Sequence, residues 1–305
     1  MDQEYEVIII GGGPAGLSAG IYTARARRKS LLIERGVVGG LVADAELVEN
    51  YPGFPEGISG AELGQLMHQQ ATKYGLETLL AEATSLELKG EKKVVITTKG
   101  QFTAKAVIIA SGSERRKLDI PGEAEFTGKG VSYCATCDGP FFRQQPVAVV
   151  GGGNAAITEA LHLVKFASRV IVIHRRDQLR ATRILEERAQ AEPKIEFLWN
   201  TIVEEIEGED KVKQLSLRNV ITGEKSALDV AGVFVSVGLR PNTAFVKGII
   251  PLDDAGYITT NERMETEIPG IFAAGDVRLN SGRQTITAAG DGATAAIYTE
   301  KFISQ

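Results

Sequence analysis

Twice in this chain a short, mostly β-branched run ends in a glycine-rich loop, opens into a helical pattern and is followed by a second apolar run. Val7-Ile8-Ile9-Ile10 leads into Gly11-Gly12-Gly13-Pro14-Ala15-Gly16, then helical spacing from Ala15 to Ala26, then Ser30-Leu31-Leu32-Ile33-Glu34. Val147-Ala148-Val149-Val150 leads into Gly151-Gly152-Gly153-Asn154-Ala155-Ala156, then a helix carrying Ile157, Ala160, Leu161 and Val164, then Val170-Ile171-Val172-Ile173. Each is a strand–helix–strand unit, which needs parallel strands with the helix packed outside. The repeat predicts an α/β fold of two doubly wound Rossmann-like dinucleotide-binding domains rather than one extended sheet.

Alternating segments at Val94 to Thr98 and Gln214 to Arg218 predict small antiparallel β layers attached to each sheet. Val107 to Gly112 and Val233 to Gly238 read as matching buried strands that end in glycine, and Ile271 to Asp276 as a last strand that completes the first domain. The second domain is therefore expected as an insertion. Residues 1–112 and 244–305 form one domain and 113–243 the other, in keeping with a chain of 305 residues. The net charge of −5, without a Lys/Arg-rich block, argues against nucleic acid as a partner. No apolar run approaches the roughly 20 residues needed to cross a bilayer, and no signal peptide precedes the first strand, so no membrane is expected and the cytoplasm is the expected location.

The first loop has the chemistry of a pyrophosphate cradle. Gly11 turns the chain, Gly13 lets phosphate approach the backbone, Gly16 lets helix pack on strand, and Pro14 removes no needed donor. Glu34, at the end of the following strand, is placed to accept from ribose hydroxyls. The second loop differs at the same place, because its strand runs into His174-Arg175-Arg176-Asp177-Gln178-Leu179-Arg180. Those cations suit the 2′-phosphate of NADPH, and the competing reading is a solvated basic helix start paired locally with Asp177 and Glu186.

The only two cysteines stand in Cys134-Ala135-Thr136-Cys137-Asp138, between the two loops. A zinc site needs about four N/S ligands, whereas the three histidines, His68, His162 and His174, are scattered, so no metal is expected. A disulfide closing so short a loop stabilises little, which leaves a redox dithiol as the favoured reading. Asp138 is placed either to shuttle a proton or to serve as an ordinary turn residue before Gly139.

These runs, with Val48 to Phe54, Gly128 to Ser132, Gly275-Asp276 and Arg283-Gln284-Thr285, resemble the low-molecular-weight thioredoxin reductases nearly end to end. The resemblance implies a homodimeric flavoprotein that passes electrons from NADPH through FAD and a disulfide to thioredoxin or a glutaredoxin-like protein. It assigns Gly11, Gly13, Pro14, Ala15, Gly16, Glu34, Arg35, Gly39, Gly40, Leu41, Asn50, Ala83, Ala110, Gly112, Gly275, Asp276, Arg283, Gln284 and Thr285 to FAD. To NADPH it assigns Gly151, Gly153, Asn154, Ala155, Glu159, His174, Arg175, Arg176 and Arg180. Cys137 becomes the sulfur nearer the flavin, Cys134 the one that attacks thioredoxin, and Asp138 the acid/base; Lys129, Phe141, Phe142 and Arg143 match the neighbourhood that meets thioredoxin.

The chain departs from the family pattern at Leu41, where Gln is usual, and at Ala45, where Thr is usual, so those hydrogen bonds to the flavin are absent or replaced. In the second loop Ala155 stands for a hydroxyl residue and Thr158 for an acid. Relatives that take electrons from ferredoxin or deazaflavin have degraded basic motifs, against the intact Arg175, Arg176 and Arg180 here. A dithiol oxidase that passes electrons to oxygen is a further alternative, and the same basic run speaks against it.

Overall fold

The structure, a computed structural model, describes residues 3–45 and 47–305, the side chains of Gln3 and Cys137 excepted. Its internal contacts divide the chain into two units: residues up to 114 together with 240–305, and residues 115–239.

The first unit opens with β1 (Gln3–Ile10), α1 (Pro14–Arg25) and β2 (Ser30–Glu34), followed by α2 (Gly60–Thr72), β3 (Glu77–Leu80), β4 (Ala83–Lys89), β5 (Lys92–Thr97) and β6 (Gly100–Ile109). Proline at its first position and a left-handed Arg27 just past its end bound α1, while the Ser59 hydroxyl caps α2 by accepting from the Glu62 N–H. The chain then crosses through β7 (Ser113–Arg115) into the second unit. This holds β8 (Val131–Ser132), α3 (Ala135–Asp138), β9 (Pro146–Val150), α4 (Asn154–Leu163), β10 (Arg169–Ile173), α5 (Arg183–Ala191), β11 (Ile195–Leu198), β12 (Thr201–Gly208), β13 (Val212–Asn219), β14 (Lys225–Asp229) and β15 (Gly232–Val235). It returns through β16 (Leu239–Pro241), which pairs with β7, to β17 (Ile271–Ala273) and α6 (Thr285–Ile303).

In the first unit β3, β2, β1 and β6 lie side by side and parallel, and β17 adds in parallel to Val107–Ile109 at the far end of β6. The near end of β6 instead pairs antiparallel with β5, and β5 with β4, so the antiparallel layer is an extension of the same sheet. In the second unit β11, β10, β9, β15 and β8 form an all-parallel sheet, and β12, β13 and β14 a separate antiparallel layer. The continuous apolar runs of β1 and β9 are explained by burial on both faces: Val7 and Ile9 pack with α1, α2 and α6, and Ile8 with the antiparallel strands. Val147 and Val149 likewise pack with α4, and Ala148 and Val150 with β12 and β13.

The strand order reverses at β1, flanked by β2 and β6, and at β9, flanked by β10 and β15. A crevice at the carboxyl ends of strands forms at such a reversal, and both glycine loops lie there.

Candidate active site

The two loops are built alike. Gly11 and Gly151 each donate an N–H to the end of the next strand, to the residue before Glu34 and the residue before His174: Ile33 O at 2.8 Å and Ile173 O at 3.1 Å. A Cβ on Gly11 would lie 2.2 Å from Ala110 O, and one on Gly151 2.3 Å from Ser236 O, so neither position takes a side chain. Gly16 is equally constrained, its Cβ falling 1.8 Å from Gly11 O, and this is where helix meets loop. Neither α1 nor α4 has a side-chain cap, which leaves first-turn N–H groups for an anion. Space stands open at Gly13, whose Cβ would meet nothing nearer than 3.9 Å, and at Gly153, whose Cβ would meet nothing within 4 Å. Both cradles therefore fit a dinucleotide pyrophosphate.

Glu34 is buried, its two oxygens accepting the Gly12 N–H at 2.6 Å and the Gly36 N–H at 2.7 Å. The Gly12 carbonyl accepts from Gly39 N–H, which docks the Gly39-Gly40-Leu41 turn beside Gly13 and leaves Leu41 exposed. Ala110 receives β1 through its N–H to Ile10 O, and Gly112 accepts from Asn242 N–H. Asn50 donates to Gln284 Oε1 at 2.9 Å, bringing the 48–54 segment to the start of α6, where the Gln284 N–H donates to the Thr287 hydroxyl ahead of Thr285. Asp276 follows Gly275 at the end of β17; burial pushes its carboxyl up, against the Ser281 hydroxyl that donates to it and the nearby Arg283. Asp291 of α6 accepts the Gly275 N–H and a bidentate pair from Arg278, which fixes that turn. Three of the sequence candidates have other partners: Arg35 pairs with Glu114 on the surface, Arg283 lies over Tyr257 and donates to its hydroxyl, and Ala83 sits on β4 opposite Thr97.

In the second loop His174 stands where Glu34 stands in the first. Its ring is buried, packs edge-on against Trp199, and fills the space in front of Gly152, where a Cβ would fall 2.4 Å from Cε1 and Nδ1. Burial, then the neighbouring arginines, depress the imidazole against a backbone hydrogen bond at Gln178, so it is neutral at pH 7. His174 thus turns inward, and the cations of the run are the exposed Arg175, Arg176 and Arg180, none ion-paired among the described residues. Arg180 N–H donates to Gly152 O at 2.6 Å, the counterpart of the Gly39–Gly12 bond, and Asn154 Oδ1 accepts from Thr182 N–H. Ala155 is exposed on the first turn of α4, and Glu159, one turn further, pairs with Arg115 at 2.9 Å.

Cys134 is half-buried and disulfide-bonded, and it opens the α3 turn. The Asp138 N–H donates to Cys134 O, and the Cys134 N–H donates to the Ser132 hydroxyl at 3.0 Å. That hydroxyl in turn donates to Asp138 Oδ2 at 2.6 Å. The preceding Tyr133 donates to Glu123, whose buried carboxylate also accepts the Leu118 and Asp119 N–H groups; burial and this carboxylate raise the phenol. Ser132 and Asp138 open on a cleft of about 270 Å³, bordered by Lys129, Phe141, Phe142 and Lys211. Sequence reasoning met Ser132 only as the end of the Gly128–Ser132 run, with no role of its own, and passed over Glu123 and Asp291. No group of residues suited to a metal occurs among the described residues, and none of their helices is long and apolar enough to cross a membrane.

The family described as pyridine nucleotide-disulphide oxidoreductase matches residues 5–293. The chain is 47% identical over 305 residues to the thioredoxin reductase of Bacillus subtilis (strain 168), covering 100% of this chain and 96% of that protein. Among solved structures it is similar to the Lactococcus lactis thioredoxin reductase in its FR conformation, with a TM-score of 0.96 and 47% identity over 98% of this chain and 99% of that one. It is also similar to the T. acidophilum thioredoxin reductase, with a TM-score of 0.95 and 34% identity over 100% of both chains. The chain belongs to the pyridine nucleotide-disulphide oxidoreductases and, within them, to the low-molecular-weight thioredoxin reductases.

Proposed function

We propose that the protein is a thioredoxin-disulfide reductase that draws on NADPH through FAD. The observation that carries this reading is the disulfide-bonded Cys134, tied through Ser132 to Asp138, two residues that line a cleft, in the same unit as a glycine loop flanked by arginines without ion-pair partners among the described residues. The first unit holds FAD: the Gly11–Gly16 loop takes the pyrophosphate, Glu34 the ribose, Asp276 the ribityl side, and the N-terminus of α6 faces the ring. The second holds NADPH, with the Gly151–Ala156 loop on the pyrophosphate and Arg175, Arg176 and Arg180 on the 2′-phosphate.

When bound, the two cofactors supply a two-electron path from NADPH to the disulfide. The residues do the rest. Cys134 and Cys137 form the redox pair; Cys134, once reduced, attacks the thioredoxin disulfide, and Asp138 carries the proton. Lys129, Phe141 and Phe142 line the face that receives thioredoxin. The nicotinamide loop and the cysteines belong to one unit and the flavin loop to the other, so on this reading the two would have to reach the flavin in turn, by rotation about the crossings near β7 and β16. A cytoplasmic homodimer belongs to the same reading.

Anaerobic titration of the purified protein with NADPH and NADH, alongside Cys137→Ser, tests it by the flavin absorbance. The expected result is rapid bleaching by NADPH, little by NADH, and a larger demand for reducing equivalents in the wild type than in the variant. No bleaching by NADPH would refute the donor assignment, and equal demand by both proteins would refute the disulfide's role.

A further inference from the structure

We infer that Ser132 is a positioning residue for the dithiol reaction, its hydroxyl aiming the Asp138 carboxyl at the Cys134 turn; this rests on the proposed role of Asp138 as acid/base. Ser132 ends β8, is 4% exposed, and is fixed by the pairing of that strand with Phe234 in β15. Its oxygen accepts the Cys134 N–H at 3.0 Å, and its one proton has two acceptors, Asp138 Oδ2 at 2.6 Å and Cys134 O at 3.3 Å. The shorter contact identifies the carboxylate as the preferred acceptor. One side chain therefore couples the rigid sheet to both ends of α3, the turn whose first contact is Cys134 and whose last residue is Asp138.

The chemistry explains what such a coupling does. Two electrons break the S–S bond of Cys134 and leave one sulfur as a thiolate and the other as a thiol that has taken one proton. Asp138 supplies that proton and recovers it from water in the adjoining cleft, which both Ser132 and Asp138 line. In the reverse sense, exchange with the partner disulfide releases a thiolate that must be protonated in turn. A carboxyl on a two-bond side chain transfers a proton efficiently only when held within hydrogen-bond reach, and the Ser132 hydroxyl stays able to donate whether Asp138 is charged or neutral.

The test is the pH profile of the reaction between pre-reduced holoenzyme and oxidised thioredoxin, followed by rapid mixing for the wild type, Ser132→Ala, Ser132→Thr and Asp138→Asn. Asp138→Asn is expected to abolish the limb governed by the carboxyl. Ser132→Ala is expected to slow the step about tenfold, a fraction of what a positioned acid contributes, and to flatten the limb that Asp138→Asn abolishes. Ser132→Thr, which keeps a hydroxyl, restores the limb. A wild-type profile in Ser132→Ala beside an altered one in Asp138→Asn overturns the role of Ser132 while leaving that of Asp138 intact. A wild-type profile in Asp138→Asn overturns both. Loss of thermal stability in Ser132→Ala with the limb unmoved shows a purely structural serine and also overturns the inference.

Discussion

Gly152→Ala destabilises the second unit through one identifiable clash. Gly152 is buried, and its φ lies outside the left-handed region, so an added methyl meets no backbone strain. It meets the His174 ring instead, at 2.4 Å from Cε1 and Nδ1 and 2.7 Å from Cγ. The ring has no free direction to yield, being 7% exposed and packed edge-on to Trp199 at 6.4 Å. Overpacking of this kind costs about 1–3 kcal/mol. With an m-value of about 2 kcal/mol per molar urea, the midpoint falls by roughly 0.5–1.5 M. Trp199 is the only tryptophan and touches the ring in question, so its emission in a urea titration reports on this unit. A double-mutant cycle makes the attribution strict: in a His174→Ala background the methyl has room, and the penalty of Gly152→Ala should vanish, giving a coupling of about 1–3 kcal/mol. A penalty below about 0.5 kcal/mol in the wild-type background, or one that persists without the imidazole, would refute the reasoning.

Gly153→Ala should leave the unfolding stability within about 0.5 kcal/mol of wild type, because its Cβ meets nothing within 4 Å, yet raise KM for NADPH severalfold by entering the pyrophosphate space. Arg278→Ala strips the mostly buried Asp291 of its bidentate partner and should cost about 3 kcal/mol, together with faster loss of flavin from the Gly275-Asp276 turn, read by thermal melting and by released flavin fluorescence. The imidazole of His174 is depressed in the folded state below its unfolded value near 6.5, so its contribution is complete above that pH and lost as pH falls through the folded value. Between pH 7 and 5 the wild type should therefore lose more stability than His174→Gln, and parallel losses would sink that assignment.

The glycine loops were legible because their constraint is local: a turn, a close approach and a helix start follow one another within six residues, and the structure repeats that pattern at Gly11 and Gly151. The direction of a side chain in a charged run is another matter. His174 reads as one more cation beside Arg175 and Arg176, and only the fold, by setting it against Gly152 and Trp199, turns it inward. Partners far apart in the chain are equally silent in sequence. Arg283 meets Tyr257, Arg35 meets Glu114, and Glu159 meets Arg115, each across dozens of residues. Ser132 shows the limit most clearly. A serine in a two-residue strand has no pattern of its own, and its meaning comes from the sheet that holds it and the turn that returns Asp138 to it.

The position of β17 has a consequence for how the chain comes into being. The far half of β6 is made with β1 already at one edge, but β17, which pairs with its other edge, is made only after all of residues 115–239, and α6, which packs on α1, comes later still. The inserted segment is contiguous and owns its whole sheet, so it can fold as it leaves the ribosome. Its neighbour waits, with one edge of Val107–Ile109 and the α6-facing side of α1 uncovered, until residues 240–305 arrive. Vectorial synthesis therefore completes the unit that carries Cys134 before the unit into which it is inserted.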